Sequence, residues 1–242
     1  MEKTLKPSSL SKELKPEYAT SNDIFYSTRY TYDFCDNVFP DWYKKCGYPN
    51  YVFHYHYHEF FEVLFMRKGK IRIIADFGKF TLRENEMLIV NTNEVYSGFF
   101  HEKAREFVDY SVILINLRVL ANKTGADVRN VFKNLIIGKI KVKNHITPDM
   151  DNYDELREIV LQNSEHYINR NYNMPELMQI GSAISVLSEL DECGLIYKTQ
   201  KDPKTKEKDF SVRLLNYVQS HYRETDWTRE LKLYLESKKI DK

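Results

Sequence analysis

Three histidines alternate with aromatic residues in the stretch YVFHYHYHEF, residues 51–60. Successive side chains of a strand point to opposite faces, so a strand here would place His54, His56 and His58 on one face. Imidazole nitrogens bind metal ions and also exchange hydrogen bonds with other groups. Two neighbouring histidines can converge on one ion, but three along a straight strand, about 6.7 Å apart, cannot easily do so. Whether these histidines bind a metal ion or exchange hydrogen bonds therefore depends on which further side chain lies beside two of them.

Glu62 is the nearest candidate for that further side chain, because it follows His58 after three residues and shares its face if the strand continues. Three interpretations are open: a metal site formed by these residues, a pocket in which they exchange hydrogen bonds with a non-metal ligand, and histidines that are structural or solvated. We favour the second. The surrounding rings suit stacking on a sugar or a small aromatic molecule, although most of them suit the core equally well: Phe53, Tyr55, Tyr57, Phe60, Phe61 and Phe65.

The elements that would position these residues are predominantly short strands. Runs rich in Val, Ile, Phe and Tyr fill residues 24–117, and their close spacing predicts an all-β sandwich or barrel there. After about residue 126 the apolar residues recur at helical spacing. Met174-Pro175-Glu176 predicts a helix start and Gly194 a helix end. The clearest apolar stripe is formed by Leu177, Ile180, Ala183, Ile184, Leu187 and Leu190.

The composition excludes several classes of function. Lys and Arg total 36 against 35 Asp and Glu, so no overall field favours nucleic acid. Three cysteines that are far apart argue against a disulfide framework and suit the reducing cytoplasm, where we expect the protein. No run of 18 apolar residues predicts a membrane span. Glycine-rich phosphate loops and the GxSxG motif are also missing from the sequence.

The spacing of His56, His58, Glu62 and Gly69 resembles the first motif of the cupin superfamily. In metal-binding cupins a later segment supplies a further histidine, and Tyr96 stands at that position in RENEMLIVNTNEVYSG, residues 83–98. A phenol with a pKa of about 10 stays protonated at pH 7 and rarely replaces a histidine ligand. His101 lies five residues further on and could stand in. We expect neither a metal ion nor another cofactor.

The wider arrangement resembles the AraC-type bacterial transcriptional regulators. The resemblance is carried by HYHEFFEVLFMRKGKIRI, residues 56–73, and by LRENEMLIVNTNEVYSGF, residues 82–99. It implies an α+β chain with a cupin-like β-barrel that senses a small molecule, antiparallel dimerisation helices and a C-terminal helix. The implied ligand-binding residues are His56, His58, Glu62 and Tyr96, with His54 beside them, and a sugar is one candidate ligand. The implied dimerisation residues are Leu177, Ile180, Ile184 and Leu187.

The resemblance divides the chain into five segments. We expect a polar lead-in at 1–23, the barrel at 24–125, the helical dimerisation segment at 126–197, a charged linker at 198–209 and the start of a helix-turn-helix domain at 210–242. Residues 209–224, DFSVRLLNYVQSHYRE, resemble the first helix of that domain, and 18 residues follow them. A helix-turn-helix reads bases through its second helix, so we expect no DNA binding by this chain alone.

These observations predict the ligand-sensing and dimerisation region of an AraC-type regulator, without enzymatic activity. Its expected partners are a small-molecule effector and a second copy of the chain, or a full-length relative in a mixed dimer. The alternative is a metal-dependent cupin enzyme of the isomerase or dioxygenase type. Tyr96 argues against that alternative, because it replaces the histidine that such a site would use.

Overall fold

The computed structural model describes residues 23–34, 51–100, 106–170 and 174–199 of the chain. The predicted lead-in, apart from Asp23, lies outside these residues, as do most of the predicted linker and all of residues 210–242. The chain divides into two units, residues 1–199 and 200–242. The strands of the described part are β1 (Phe25–Phe34), β2 (Tyr51–His56), β3 (Phe61–Lys68), β4 (Lys70–Ala75), β5 (Gly78–Arg83), β6 (Met87–Val90), β7 (Tyr96–Phe99), β8 (Glu106–Ile115), β9 (Ile140–Val142), β10 (His145–Ile146) and β11 (Ile196–Lys198). The helices are α1 (Leu117–Lys123), α2 (Ala126–Ile136), α3 (Tyr153–Asn169) and α4 (Glu176–Glu192).

The strands form antiparallel sheets, and the predicted α+β class is confirmed. The large sheet has the order β1-β8-β3-β6-β10, and the small sheet has the order β2-β7-β4-β5. A third sheet pairs β11 with β9. Within the described ranges, backbone pairing does not join the large and small sheets into one closed barrel. Side chains from both sheets nevertheless contribute to one apolar core.

The histidine strand does not continue to Glu62. β2 ends at His56 in the small sheet, and β3 begins at Phe61 in the large sheet. The intervening loop is fixed at His58, whose carbonyl accepts a hydrogen bond from the Asn93 backbone N–H at 2.9 Å. This crossing lets His56, His58 and Glu62 converge, which a straight strand would have prevented.

β3 is the central strand of the large sheet and is buried on both faces over residues 61–66. Such burial explains its nearly continuous apolar sequence. The turn to β4 requires Gly69, whose φ is +86° and whose missing Cβ would collide with the carbonyl oxygen of Phe107. A glycine adopts this left-handed conformation without steric cost.

Helices α3 and α4 pack beside the large sheet and run antiparallel. Cys193, at the end of α4, places its Sγ 3.6 Å from the carbonyl oxygen of Asn152, at the start of α3. α4 starts directly after Pro175 and ends before Gly194, whose φ is +65°, so both predicted helix boundaries are confirmed. The described residues contain no helix that is long and apolar enough to span a bilayer.

The predicted helical dimerisation segment, residues 126–197, also contains the short strands β9 and β10 and most of β11. A buried ion pair holds β9 in place: Lys141 Nζ lies 2.5 Å from Glu94 Oε1, and Glu94 is 2% exposed. Asn144 donates a further hydrogen bond to Glu94 at 2.6 Å. These strands depend on contacts distant in sequence, which explains why helical periodicity did not reveal their positions.

A candidate ligand-binding pocket

A pocket that opens to solvent is lined by residues of the large and small sheets. Alternate residues of β1, β3 and β8 in the large sheet line it, as the period of two requires. The lining residues are Tyr26, Thr28 and Tyr30 of β1, Tyr110, Val112 and Leu114 of β8, Glu62 and Leu64 of β3, Phe53 and His56 of β2, Tyr96 of β7, and His58 of the β2–β3 loop.

Four of these residues, His56, His58, Glu62 and Tyr96, form one hydrogen-bonded group, which we call the His–Glu–Tyr cluster. The Tyr96 hydroxyl is at its centre. It lies 2.5 Å from Glu62 Oε2, 2.8 Å from His56 Nε2 and 3.1 Å from His58 Nε2. His58 Nε2 also lies 2.7 Å from Glu62 Oε2.

Backbone pairing positions the members of the cluster. His56 and Tyr96 are directly opposite each other in the β2–β7 ladder, which brings their rings to 4.3 Å between centroids. Glu62 is paired on both sides, with Val90 of β6 and with Leu114 of β8. The cluster therefore rests on strands of both sheets, and only His58 comes from a loop.

The carboxyl of Glu62 is 4% exposed, and burial alone would raise its pKa. Hydrogen bonds from His58 and Tyr96 and the charges of the two cluster histidines outweigh burial and lower the pKa below its ordinary value. Burial and the Glu62 charge raise the pKa of Tyr96 well above its ordinary value. Glu62 is therefore a carboxylate at neutral pH, and Tyr96 is a neutral phenol that donates to it.

The contacts of His58 fix the orientation of its ring. Its Nδ1 lies 2.9 Å from the carbonyl oxygen of Phe60, and its Nε2 lies 2.7 Å from the Glu62 carboxylate. The ring is thus held between two oxygen atoms, one from the β2–β3 loop and one from β3.

The cluster does not fit a metal ion. The Tyr96 hydroxyl lies at the point on which His56, His58 and Glu62 converge, and it remains a neutral donor there. Among the described residues, no three His, Cys, Asp or Glu side chains form a group that could hold one.

The structure brings together four of the five residues predicted for the ligand site: His56, His58, Glu62 and Tyr96. His54 lies on β2, but its side chain is outside the described part of the chain, and so is all of His101. The sequence analysis missed the opposite wall. The period-two pattern of YSTRY in β1 and of YSVIL in β8 carries that signal: Tyr26, Thr28, Tyr30, Tyr110, Val112 and Leu114.

The four residues predicted for dimerisation differ in exposure. Leu177 is 79% exposed, whereas Leu187 is 6% exposed and belongs to the core. Ile180 and Ile184 are partly exposed and pack against that core. The exposed part of the stripe therefore lies at the N-terminal half of α4.

Comparison with protein families finds one match in this region. The model of the AraC-like ligand binding domain matches residues 45–122, a span from before β2 into α1. This span contains the complete His–Glu–Tyr cluster and the β8 wall of the pocket, while the β1 wall precedes it. A comparison with curated protein sequences finds no significant match.

Solved structures with distant similarity include regulators and cupins. The AraC-like transcriptional activator CuxR is 12% identical, with 88% of this chain and 67% of CuxR covered and a TM-score of 0.39. ToxT from Vibrio cholerae is 13% identical, with 90% and 78% covered and a TM-score of 0.39. A cupin-2 domain protein from Shewanella frigidimarina is 15% identical, with 46% and 93% covered and a TM-score of 0.27. Some other matched proteins extend well beyond the aligned part, which covers 64% of one and 56% of another.

Proposed function

We propose that this chain is the effector-sensing region of an AraC-type regulator and that its pocket binds a small molecule without transforming it. The observation that carries the proposal is the pocket itself: a wall of rings faces a buried His–Glu–Tyr cluster, within and beside the segment that matches an AraC-like ligand binding domain. A sugar is one candidate effector. The cluster hydrogen bonds would fix the orientation of the effector, and the rings would supply contact area.

A screen for ligand-induced stabilisation tests this proposal. The purified full chain is heated with a library of small metabolites, and a compound that binds only the folded state raises the melting temperature. Thr28→Trp fills the pocket and should abolish the shift. Thr31→Trp, on the same strand but exposed, is the matched control and should retain it. Circular dichroism establishes that both variants fold. A shift that survives Thr28→Trp would place the ligand elsewhere.

We further propose that two copies of the chain pair through the N-terminal half of α4. Leu177 is a large apolar side chain held in solvent, and partly exposed Ile180 and Ile184 continue from it along one face. Leu177→Glu would place a charge in that interface and should convert a dimer to a monomer. Ser188→Glu, an exposed site on the same helix, should leave the dimer intact. Sedimentation velocity measures both, and a monomeric parent chain would contradict the proposal.

A further inference from the structure

We propose that the effector is an uncharged molecule with a flat apolar ring and one hydroxyl group, a phenol in the simplest case. The inference rests on the proposed function, because it concerns the same pocket. It follows from the ionisable side chains of the lining, from the rings that face the cluster, and from the arrangement of hydrogen bonds on Glu62.

The ionisable side chains of the pocket are already bonded to one another. The Glu62 carboxylate lies 2.7 Å from His58 Nε2. The described lining residues include neither lysine nor arginine. An anionic effector would lie beside the Glu62 carboxylate with no lysine or arginine to pair with, and a cationic effector would compete with His58 for that carboxylate. Burying an ion without a partner is costly, so this lining favours an uncharged molecule.

Aromatic rings from both sheets surround the remaining space. The Tyr30 and Tyr110 centroids are 5.3 Å apart, and Phe53 lies 5.5 Å from Tyr96 and 6.4 Å from Tyr110. Such rings bind another ring in offset-stacked or edge-to-face arrangements. A sugar would need a hydrogen-bond partner for each of its hydroxyl groups, whereas the groups of the cluster are already bonded to one another. An apolar ring therefore suits this wall better than a sugar.

Glu62 provides the polar end of the proposed site. The hydrogen bonds from His58 and from Tyr96 both end on its Oε2. A carboxylate accepts about four hydrogen bonds over its two oxygens. We assign Oε1 as the acceptor for the effector hydroxyl. A charge-assisted bond of this kind is roughly twice as strong as one between neutral groups.

Isothermal titration calorimetry of the full chain at pH 7 tests the class with matched probes. 4-Methylphenol carries the proposed features, 4-methylanisole lacks the donor, 4-hydroxybenzoate adds a negative charge, tyramine adds a positive charge, and methyl glucoside represents a sugar. We expect 4-methylphenol to bind at least about tenfold more tightly than each of the others, the effect of one hydrogen bond to a charged group. In Glu62→Gln its advantage over 4-methylanisole should shrink. Thr28→Trp, which fills the space and leaves the cluster unchanged, should abolish binding, whereas Thr31→Trp should not.

The outcomes separate this inference from the proposed function. Tighter binding of methyl glucoside or of either charged probe in the same pocket overturns the uncharged aromatic class and leaves the effector-sensing function standing. If none of the probes binds but the metabolite screen finds another pocket ligand, the class is again overturned. If the folded chain binds neither the probes nor any metabolite, the inference and the proposed function fail together.

Discussion

Tyr96 decides the chemistry of the cluster, because its hydroxyl fills the space that three metal-binding side chains would otherwise share. Replacing Tyr96 with histidine removes this hydroxyl and adds a third imidazole beside His56, His58 and Glu62. We expect Tyr96→His to bind Zn²⁺ and to gain thermal stability on addition of the ion. Calorimetric titration with ZnCl2 measures the affinity. Equal Zn²⁺ affinity in the parent chain, or none in a folded variant, would contradict the blocking role of Tyr96.

Because of Glu62, the free energy of unfolding depends on pH in the acid range. Burial opposes its charge, but His58 and Tyr96 outweigh burial, so its pKa is lower in the folded than in the unfolded chain. The ionised carboxylate therefore stabilises the fold above its unfolded pKa of about 4.3, and this contribution disappears as the pH falls through the lower, folded pKa.

We expect the free energy of unfolding of the parent chain to fall more steeply below about pH 4.3 than that of Glu62→Gln, since glutamine does not titrate. Urea denaturation at a series of pH values gives the difference between the two. The exposed Glu59→Gln is the control for the loss of a carboxyl, and its acid dependence should match the parent. Parallel curves for the parent and Glu62→Gln would show that the Glu62 pKa is not lowered by folding.

At the scale of elements, β1 depends on α4 for its first hydrogen bonds. Gln179 Oε1 accepts the backbone N–H groups of Ile24 at 3.1 Å and of Phe25 at 3.3 Å, at the edge of the large sheet. We expect Gln179→Ala to cost about 1–3 kcal/mol for two lost bonds and to speed amide exchange at both residues. Gln162→Ala, on the exposed face of α3, is the control. Unchanged amide exchange at Ile24 and Phe25 in Gln179→Ala would show that these two bonds do not protect the start of β1.

The sequence predicts those elements whose signals are local. Short runs rich in Val, Ile, Phe and Tyr predicted strands over β3 to β8, and Pro175 and Gly194 predicted the ends of α4. The end of β2 before His58 was not predicted, because the loop there is fixed by a bond from Asn93, 35 positions after His58. β9 was missed for the same reason, since a side chain nearly fifty residues away, Glu94, holds it.

The candidate site was predictable only in part, for a related reason. A motif within one stretch and a second stretch 40 residues later identified the cluster residues His56, His58, Glu62 and Tyr96. The opposite wall of the pocket comes from β1 and β8. The sequence pattern of their tyrosines is equally typical of an ordinary apolar core. Only the pairing of β1 with β8 shows that Tyr30 and Tyr110 are directly opposite each other and that both line the pocket.

At the scale of the whole described unit, the large sheet has the pocket on one face and the helices on the other. Thr28 lines the pocket, whereas its neighbour Ser27 lies 2.8 Å from Ser164 of α3, measured between the two Oγ atoms. Tyr26 touches both sides, since it lines the pocket and its ring meets Tyr167 of α3 edge-on at 5.6 Å. A ligand that contacts Tyr26 would therefore contact a side chain that also packs against α3.

We therefore expect a pocket ligand found in the metabolite screen to slow amide exchange in β1 and also in α3, which lies outside the pocket. Tyr167→Leu removes the ring contact, so it should reduce the protection of α3 while β1 stays protected. Tyr197→Leu, on β11, is the matched control and should behave as the parent. Amide exchange measured by mass spectrometry, with and without the ligand, compares the protection of β1 and α3 in the parent chain and the two variants. Full protection of α3 in Tyr167→Leu would mean that Ser27 and Ser164, rather than the two rings, link the sheet to the helix.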